Sequence, residues 1–480
     1  ETVTITASAD LADADGNEAD LNVSKVKAAT LVVKGGASDY AEGLDLTGTG
    51  AATLHVNTST VNASLHKGPL TVAFNTATPT TLTAQGVTTQ TITGSSKNDT
   101  IDLTVAATSA NAVAHVLNGG AGADVAKLSF NTVSAGDVRN MTNIETYEVT
   151  VGASQSVVLR QAANNFMNDS VSTTLKINGG NALSTFSLAT DPIDGTEVVL
   201  IDASAFEGRV NSIDFDAEML ADTTQLIGGA STKDTVKFGT DTDGKTFTPN
   251  IQGFEYWNYT HNTGGTGAET STINLTKVTG LTRLYLQGAT ADGANTLVIG
   301  DYNSDNHGTI HLGAASGTPL DATGGTSLTV NHQSATGTSD TLNLFFQDTD
   351  DGAGTTTVTS AGTEVLNITL LNAAEAHAVT TTAVTPTTGS ATTININGYL
   401  ATASSAATLT LSTTAVGTTT VNAGTFAGTF SLTDRASVAM TITGSLGVDT
   451  IQMEHEGDTI TAQTGVDSLD VNYYAIISGI

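Results

Sequence analysis

Residues 444–470 fall into three consecutive nines, GSLGVDTIQ (Gly444–Gln452), MEHEGDTIT (Met453–Thr461) and AQTGVDSLD (Ala462–Asp470). An aspartate holds the sixth place of each, at Asp449, Asp458 and Asp467. An aliphatic residue holds the eighth, at Ile451, Ile460 and Leu469. The first nine fits the pattern GGxGxDxUx with one change, Ser445 for the second glycine.

The physics of that pattern decides the expected fold. Gly444, Gly447 and Gly465 permit the φ > 0 backbone of a tight turn. Each aspartate supplies a hard anionic oxygen of the kind Ca²⁺ prefers. The aliphatic residue two places later starts a short strand and points into a core. Nine residues make half a coil, so Asp449 and Asp467 should share one edge and Asp458 should lie on the other. A cation between stacked turns would then act as a staple.

Working back from this stretch, the phrase Asp, small residue, aliphatic recurs. It stands at Asp99-Thr-Ile101, Asp124-Val-Ala126, Asp234-Thr-Val236 and Asp340-Thr-Leu342. Asn118-Gly119-Gly120-Ala-Gly122-Ala-Asp124 is a complete GGxGxD. The turns before Asp99, Asp234 and Asp340 are worn copies. A single GGxGxD also reads simply as a glycine-rich turn. The leading aspartates from Asp124 to Asp449 are 110, 106 and 109 positions apart. A second phrase, an acid in an apolar strand, follows each: Glu145, Glu255, Glu364 and Asp470 stand 21, 21, 24 and 21 residues on.

Between these phrases run short alternations such as Ser327-Leu-Thr-Val330 and Thr393-Ile-Asn-Ile396, separated by glycine turns, which read as strand, turn, strand. The expected fold is therefore all-β, an elongated repeat or solenoid of short strands with calcium-binding β-roll turns. Its expected divisions are 1–98, 99–210, 211–320, 321–443 and the β-roll 444–480. The competing reading is a string of independent β-sandwich domains, which also run to about 100 residues each.

Composition supports strand over helix. The 480 residues include 49 Gly and only 13% charged residues, with no cysteine to form a disulfide. With 47 Asp+Glu against 16 Lys+Arg, the net charge is −31. That field repels nucleic acid and anionic lipid, and bound divalent cations would relieve it. An acidic halophile surface is the bland alternative, but many carboxylates here sit in Gly/Asn turns. No apolar run approaches the ~20 residues that cross a bilayer, and no N-terminal signal peptide is visible.

A second acidic class offers alternate-residue oxygens in loops: Asp13 and Asp15, Asp241 and Asp243, Asp301 and Asp305, Asp348 and Asp350. None completes an EF-hand loop, and solvated Asx turns explain each equally well. No HExxH, GxSxG, Walker or Rossmann pattern is present. Trp257, with Tyr256 and Tyr259, suggests either a sugar platform or core packing, and its place in a repeated strand favours the core. The chain reads as structural rather than catalytic.

These nonapeptides and scattered turns resemble the repeats-in-toxin (RTX) superfamily of calcium-dependent proteins exported by type I secretion. In texture the chain is most similar to Gram-negative surface-layer (S-layer) proteins of the Caulobacter and Campylobacter kind, including the strand around Asn143–Val149. The resemblance implies several bound Ca²⁺ ions, export to the cell surface, and a homo-oligomeric lattice tiled through calcium-bridged edges. It also implies attachment to lipopolysaccharide through a separate N-terminal region, which these residues do not include. The alternative within the superfamily is an adhesin or biofilm-matrix spacer.

Overall fold

The computed structural model describes the backbone of residues 2–6, 30–34, 40–48, 52–56, 58–66, 70–74, 81–84, 90–94, 98–102, 116–130, 134–137, 141–160, 173–193, 198–215, 225–238, 246–262, 270–289, 296–312, 326–334, 339–346, 355–370, 376–385, 392–398, 408–413, 418–434, 438–453 and 455–471, with side-chain detail from Ile92 onward. Every described strand register is parallel, whether early, as Thr2 on Thr30, or late, as Ile442 on Ile460. β-Sandwich domains need antiparallel pairs, so that competing reading is excluded. The fold is a parallel β-solenoid. Its one helix among the described residues is the single turn Ser304–His307.

The chain divides into two units, Glu1–Met219 with Thr223–Val236, and Leu220–Asp222 with Lys237–Ile480. In the first, successive strands alternate between two rows. One row begins Thr2–Thr6, Thr30–Lys34, Ala52–Val56 and ends at Met141–Thr142. The other runs from Tyr40–Gly48 through Val125–Phe130 and Thr146–Val151 to Gln225–Ile227. Beyond Ser134–Asp137 a third row takes over the first row's place in the alternation, through Ser156–Arg160, Thr185–Ile193 and Arg209–Phe215.

In the second unit one row runs from Tyr256–Asn262 to Thr459–Thr461 and the other from Thr246–Phe247 to Ser468–Val471. The first coils of this unit carry a further strand each, Asn250–Gln252 and Val278–Thr279, which pair with each other. From Arg283–Ala289 onward strand follows strand from one row to the other, so two strands make a coil. Coil length varies widely. It is 18 residues between Ile442 and Ile460 and 34 between Ile310 and Leu344.

The period-two pattern buries every second side chain in files along the stack. Ile101, Ala126, Tyr147, Leu175, Ile201 and Leu226 are in register, and none is more than 2% exposed. The small Ala126 faces the large Tyr147, which keeps the file filled. Leu342, Leu366, Ile394, Val421 and Ile442 form the equivalent file in the second unit, all fully buried. Each such side chain contributes about 1.5–3 kcal/mol on leaving water. Trp257 and Tyr259 are fully buried too, which places them in the core rather than on a sugar platform.

The outward files carry register-fixing polar ladders. In the first unit Lys127 and Lys176 flank Glu148, at 3.8 and 3.6 Å, with Asp202 in register beyond. In the second, the Asn367 amide donates to Asn343 Oδ1 at 2.8 Å and the Asn395 amide to Asn367 Oδ1 at 2.9 Å.

Candidate metal centre

The predicted turn-strand phrase is a real structural unit. Strands Thr100–Asp102, Val125–Phe130, Thr235–Phe238 and Thr341–Phe346 begin directly after Asp99, Asp124, Asp234 and Asp340, and Asp449–Met453 begins on Asp449 itself. The aliphatic residues two places on, Ile101, Ala126, Val236, Leu342 and Ile451, all point into the core. Asp99, Asp124, Asp234 and Asp449 are themselves wholly buried, and Asp340 is half-buried. Four carboxyl groups thus sit out of water at solenoid corners, where each must find partners.

Several corner carboxylates reach back to the coil before. Asp99 N–H donates to Asp124 Oδ1 at 2.6 Å, and Asp124 N–H donates to Glu145 Oε2. Asp340 N–H donates to Glu364 Oε2 at 2.9 Å, Val210 N–H to Asp234 Oδ1 at 2.8 Å, and Asp449 N–H to Asp467 Oδ1 at 3.1 Å. On the opposite edge of the terminal coil, Met440 N–H donates to Asp458 Oδ1 at 2.9 Å. One rule covers all six: a corner carboxylate accepts from the backbone at the corresponding corner one coil earlier. Such charge-assisted bonds are stronger than neutral ones.

The second carboxylate oxygen separates these corners into two kinds. Asp234 Oδ2 accepts from Gly229 N–H at 2.6 Å, and Asp458 Oδ2 accepts from His455 N–H at 3.0 Å. Both oxygens of Asp449 accept from Ser445 N–H, at 3.1 and 2.9 Å, and Oδ1 also accepts from the Ser445 hydroxyl at 2.5 Å. By contrast Asp124 Oδ2 and Asp340 Oδ2 are buried and accept no hydrogen bond.

Glycine makes these corners possible. A Cβ on Gly119 would lie 1.9 Å from Asn143 O in the next coil and 2.5 Å from Asp124 Oδ2. Gly120 and Gly122 follow at φ 100° and 145°, and Gly465 at 148°. The Gly447 position packs on the Gly428 carbonyl.

Burial drives the electrostatics. Loss of solvent pushes Asp124 up to about 7, with the neighbouring charges of Asp99 and Glu145 adding to the rise and the Asp99 amide opposing it. Burial likewise raises Asp234 to about 6 and raises Asp449, where Ser445 opposes the shift. His332 is lowered by burial.

The Asp99–Asp124–Glu145 stack is therefore a column of three acids on consecutive coils. A buried oxygen at its centre accepts no bond, which is the donor chemistry of a hard divalent cation. Among the described residues no three His, Asp or Glu side chains stand close enough together to enclose a metal ion by themselves. Backbone carbonyls of the Gly119–Gly122 turn and water would have to complete any shell.

The remaining predicted residues distribute as follows. Asp449 and Asp467 share one edge and Asp458 occupies the other, as nine-residue half-coils require. Asp301 adopts φ 53° and accepts from the Thr276 hydroxyl at 2.6 Å. Asp305 opens the one-turn helix, its N–H capped by Asn303 Oδ1 at 2.9 Å, so this loop is an Asx turn. Asp13, Asp15, Asp241, Asp243, Asp348 and Asp350 lie outside the described residues. Glu145 and Glu364 were not among the candidate ligands. Their signal was the fixed 21- and 24-residue offset, which is one coil. Comparison with protein-family models, with curated proteins and with solved structures finds no match to this chain.

Proposed function

We propose that the chain is a structural subunit of an extracellular bacterial surface layer, non-catalytic and self-assembling, stiffened by calcium at its glycine-bent corners. The observation that carries this reading is the buried, hydrogen-bond-free Asp124 Oδ2 at the end of the complete Gly119–Asp124 turn, between Asp99 and Glu145. Asp124 would hold the ion, with Asp99 and Glu145 contributing charge from the adjoining coils. The ion would neutralise a column of carboxylates within a chain of net charge −31.

The apolar core also suits a scaffold, since its files are continuous rows of almost wholly buried side chains. Partners under this reading are further copies of the chain and, through a region outside it, lipopolysaccharide. Neither nucleic acid nor membrane insertion has a part. The test is light scattering and electron microscopy of the purified chain as millimolar Ca²⁺ is added and then chelated. Ordered sheets that form with calcium and dissolve with chelator are expected. Isolated rods would transfer the reading to an adhesin or matrix spacer, and indifference to calcium would overturn it.

A further inference from the structure

In the second unit, the row that runs from Tyr256–Asn262 to Thr459–Thr461 carries an outward face that repeats in two directions. Six successive strands contribute Thr341-Leu-Asn343, Val365-Leu-Asn367, Thr393-Ile-Asn395, Thr420-Val-Asn422, Thr441-Ile-Thr443 and Thr459-Ile-Thr461. The middle residue of each points into the core, so both flanking positions face out. The registers align them coil on coil, Thr393 on Thr420, Thr441 and Thr459, and Asn343 on Asn367, Asn395 and Asn422. None of the twelve flanking side chains is buried.

Parallel strands set the spacing of this array. Neighbours within a file stand about 4.7–4.9 Å apart, and the two files about 6.6 Å apart, two residues of strand rise. The side chains are held as well. Thr occupies five of the six places in the first file, and a β-branched side chain is stiff at χ1. In the second file the Asn367 amide is tied to Asn343 at 2.8 Å and the Asn395 amide to Asn367 at 2.9 Å. Hydroxyl, methyl and amide groups therefore recur at fixed intervals.

The chemistry of the face narrows its partner. None of the twelve positions is charged, within a chain of net charge −31, whereas an ordinary solvated surface is about a quarter or more Asp, Glu, Lys and Arg. The outward file of the first unit is ordinary in this sense, with Lys127, Glu148 and Lys176. Strand propensity accounts for the threonines but not for four successive asparagines, a residue that strands disfavour. Six strands extend about 24 Å and three residues about 10 Å, which gives roughly 240 Å² against about 800 Å² per partner in a stable protein contact. A second copy is therefore a poor occupant. None of the twelve is aromatic, so nothing in the array stacks on a sugar ring. A neutral face suits a neutral partner, and one that repeats in two directions suits a crystalline surface.

We propose that this Thr/Asn face binds ice. Its evenly spaced groups hold a layer of water in fixed positions, and that layer merges with the crystal lattice. A small contact suffices, because growth around an adsorbed molecule prevents its release. The assignment goes beyond the surface-layer reading and requires no calcium at the corners.

The test is slow growth of ice from a dilute solution of the purified full chain in millimolar Ca²⁺, with its recovery in the ice fraction compared with that of an unrelated globular protein. Wild type is set beside Thr441→Lys and Thr459→Lys, both at exposed positions of the array, and beside Thr410→Lys, an exposed position on the other row. Circular dichroism checks that each variant is folded. Wild type and Thr410→Lys should be enriched several-fold in ice, and the two array variants should fall to the level of the reference protein. Exclusion of wild type from ice overturns the proposal, as does undiminished recovery of both array variants. Equal loss in Thr410→Lys overturns the choice of face. Recovery of wild type on insoluble cellulose and not in ice transfers the face to a polysaccharide and overturns ice as its partner.

Discussion

The corners at Asp124 and Asp449 look alike in sequence, and the better-looking one is the less suited to an ion. Asp449 heads three consecutive nonapeptides, whereas Asp124 ends an isolated turn. Yet Ser445, the one departure from the pattern, turns its N–H and hydroxyl onto both oxygens of Asp449. At Asp124 the matching position is Gly120, whose N–H goes instead to Asn118 Oδ1 at 3.0 Å. That leaves Oδ2 unpartnered. The Ser445 N–H and hydroxyl together satisfy Asp449 within its own turn, whereas the redirected Gly120 N–H leaves Asp124 Oδ2 without a donor.

The largest expected difference concerns the glycines five residues before each aspartate. At Gly119 a new Cβ meets backbone of the next coil at 1.9 Å, while at Gly444 the nearest obstacle is the Asp449 side chain at 2.2 Å and backbone stands off at 3.6 Å. Gly119→Ala should cost about 3 kcal/mol and Gly444→Ala nearer 1 kcal/mol, read from urea midpoints. Equal costs would break the comparison.

Next is Asp449→Asn, which replaces the acceptor of three Ser445 bonds and should cost about 2 kcal/mol with or without calcium. Asp124→Asn should lose its calcium response while remaining near wild-type stability in chelator. A calcium-dependent cost at Asp449 instead would invert the two corners.

The pH profile is the third probe. Asp124 is raised from 3.8 to about 7 in the folded state. Between those values the folded state holds more protons than the unfolded one, so stability must fall as pH rises. The penalty is absent below about pH 4 and complete above about 7. Asp234, raised to about 6, acts in the same direction. In chelator the first unit should therefore melt at a lower temperature at pH 7.5 than at pH 5, and calcium should remove most of that slope. A flat or rising profile would contradict the burial of these acids.

The smallest effect is expected from Ser445→Gly. It should destabilise the terminal coils by about 1 kcal/mol in chelator and give them a calcium dependence they otherwise lack.

Much of this was legible in the residues themselves. The Asp-x-aliphatic phrase marks where each strand starts because buried Ile101, Val236 or Leu342 must alternate with the corner acid. Two nines make one coil at the C-terminal end because no loop interrupts it there. Further upstream the period is hidden, since connections stretch a coil from 18 to 34 residues while the strand registers stay intact. The 110-residue recurrence therefore spans several coils. The strand after Asp340 and the strand at Asp449 lie in different rows.

The acceptor role of the acids was not legible. A carboxylate bonded to the N–H one coil away leaves no local signature, and Glu364 approaches Asp340 only through the fold.

The most direct test is a crystal structure of the chain grown in calcium, with anomalous diffraction data collected to locate the ion. The account predicts density for a cation against Asp124 Oδ2, at the column shared with Asp99 and Glu145, and none against Asp449. A proton or water on Asp124 with no anomalous density, in crystals whose protein melts identically in calcium and in chelator, would contradict it.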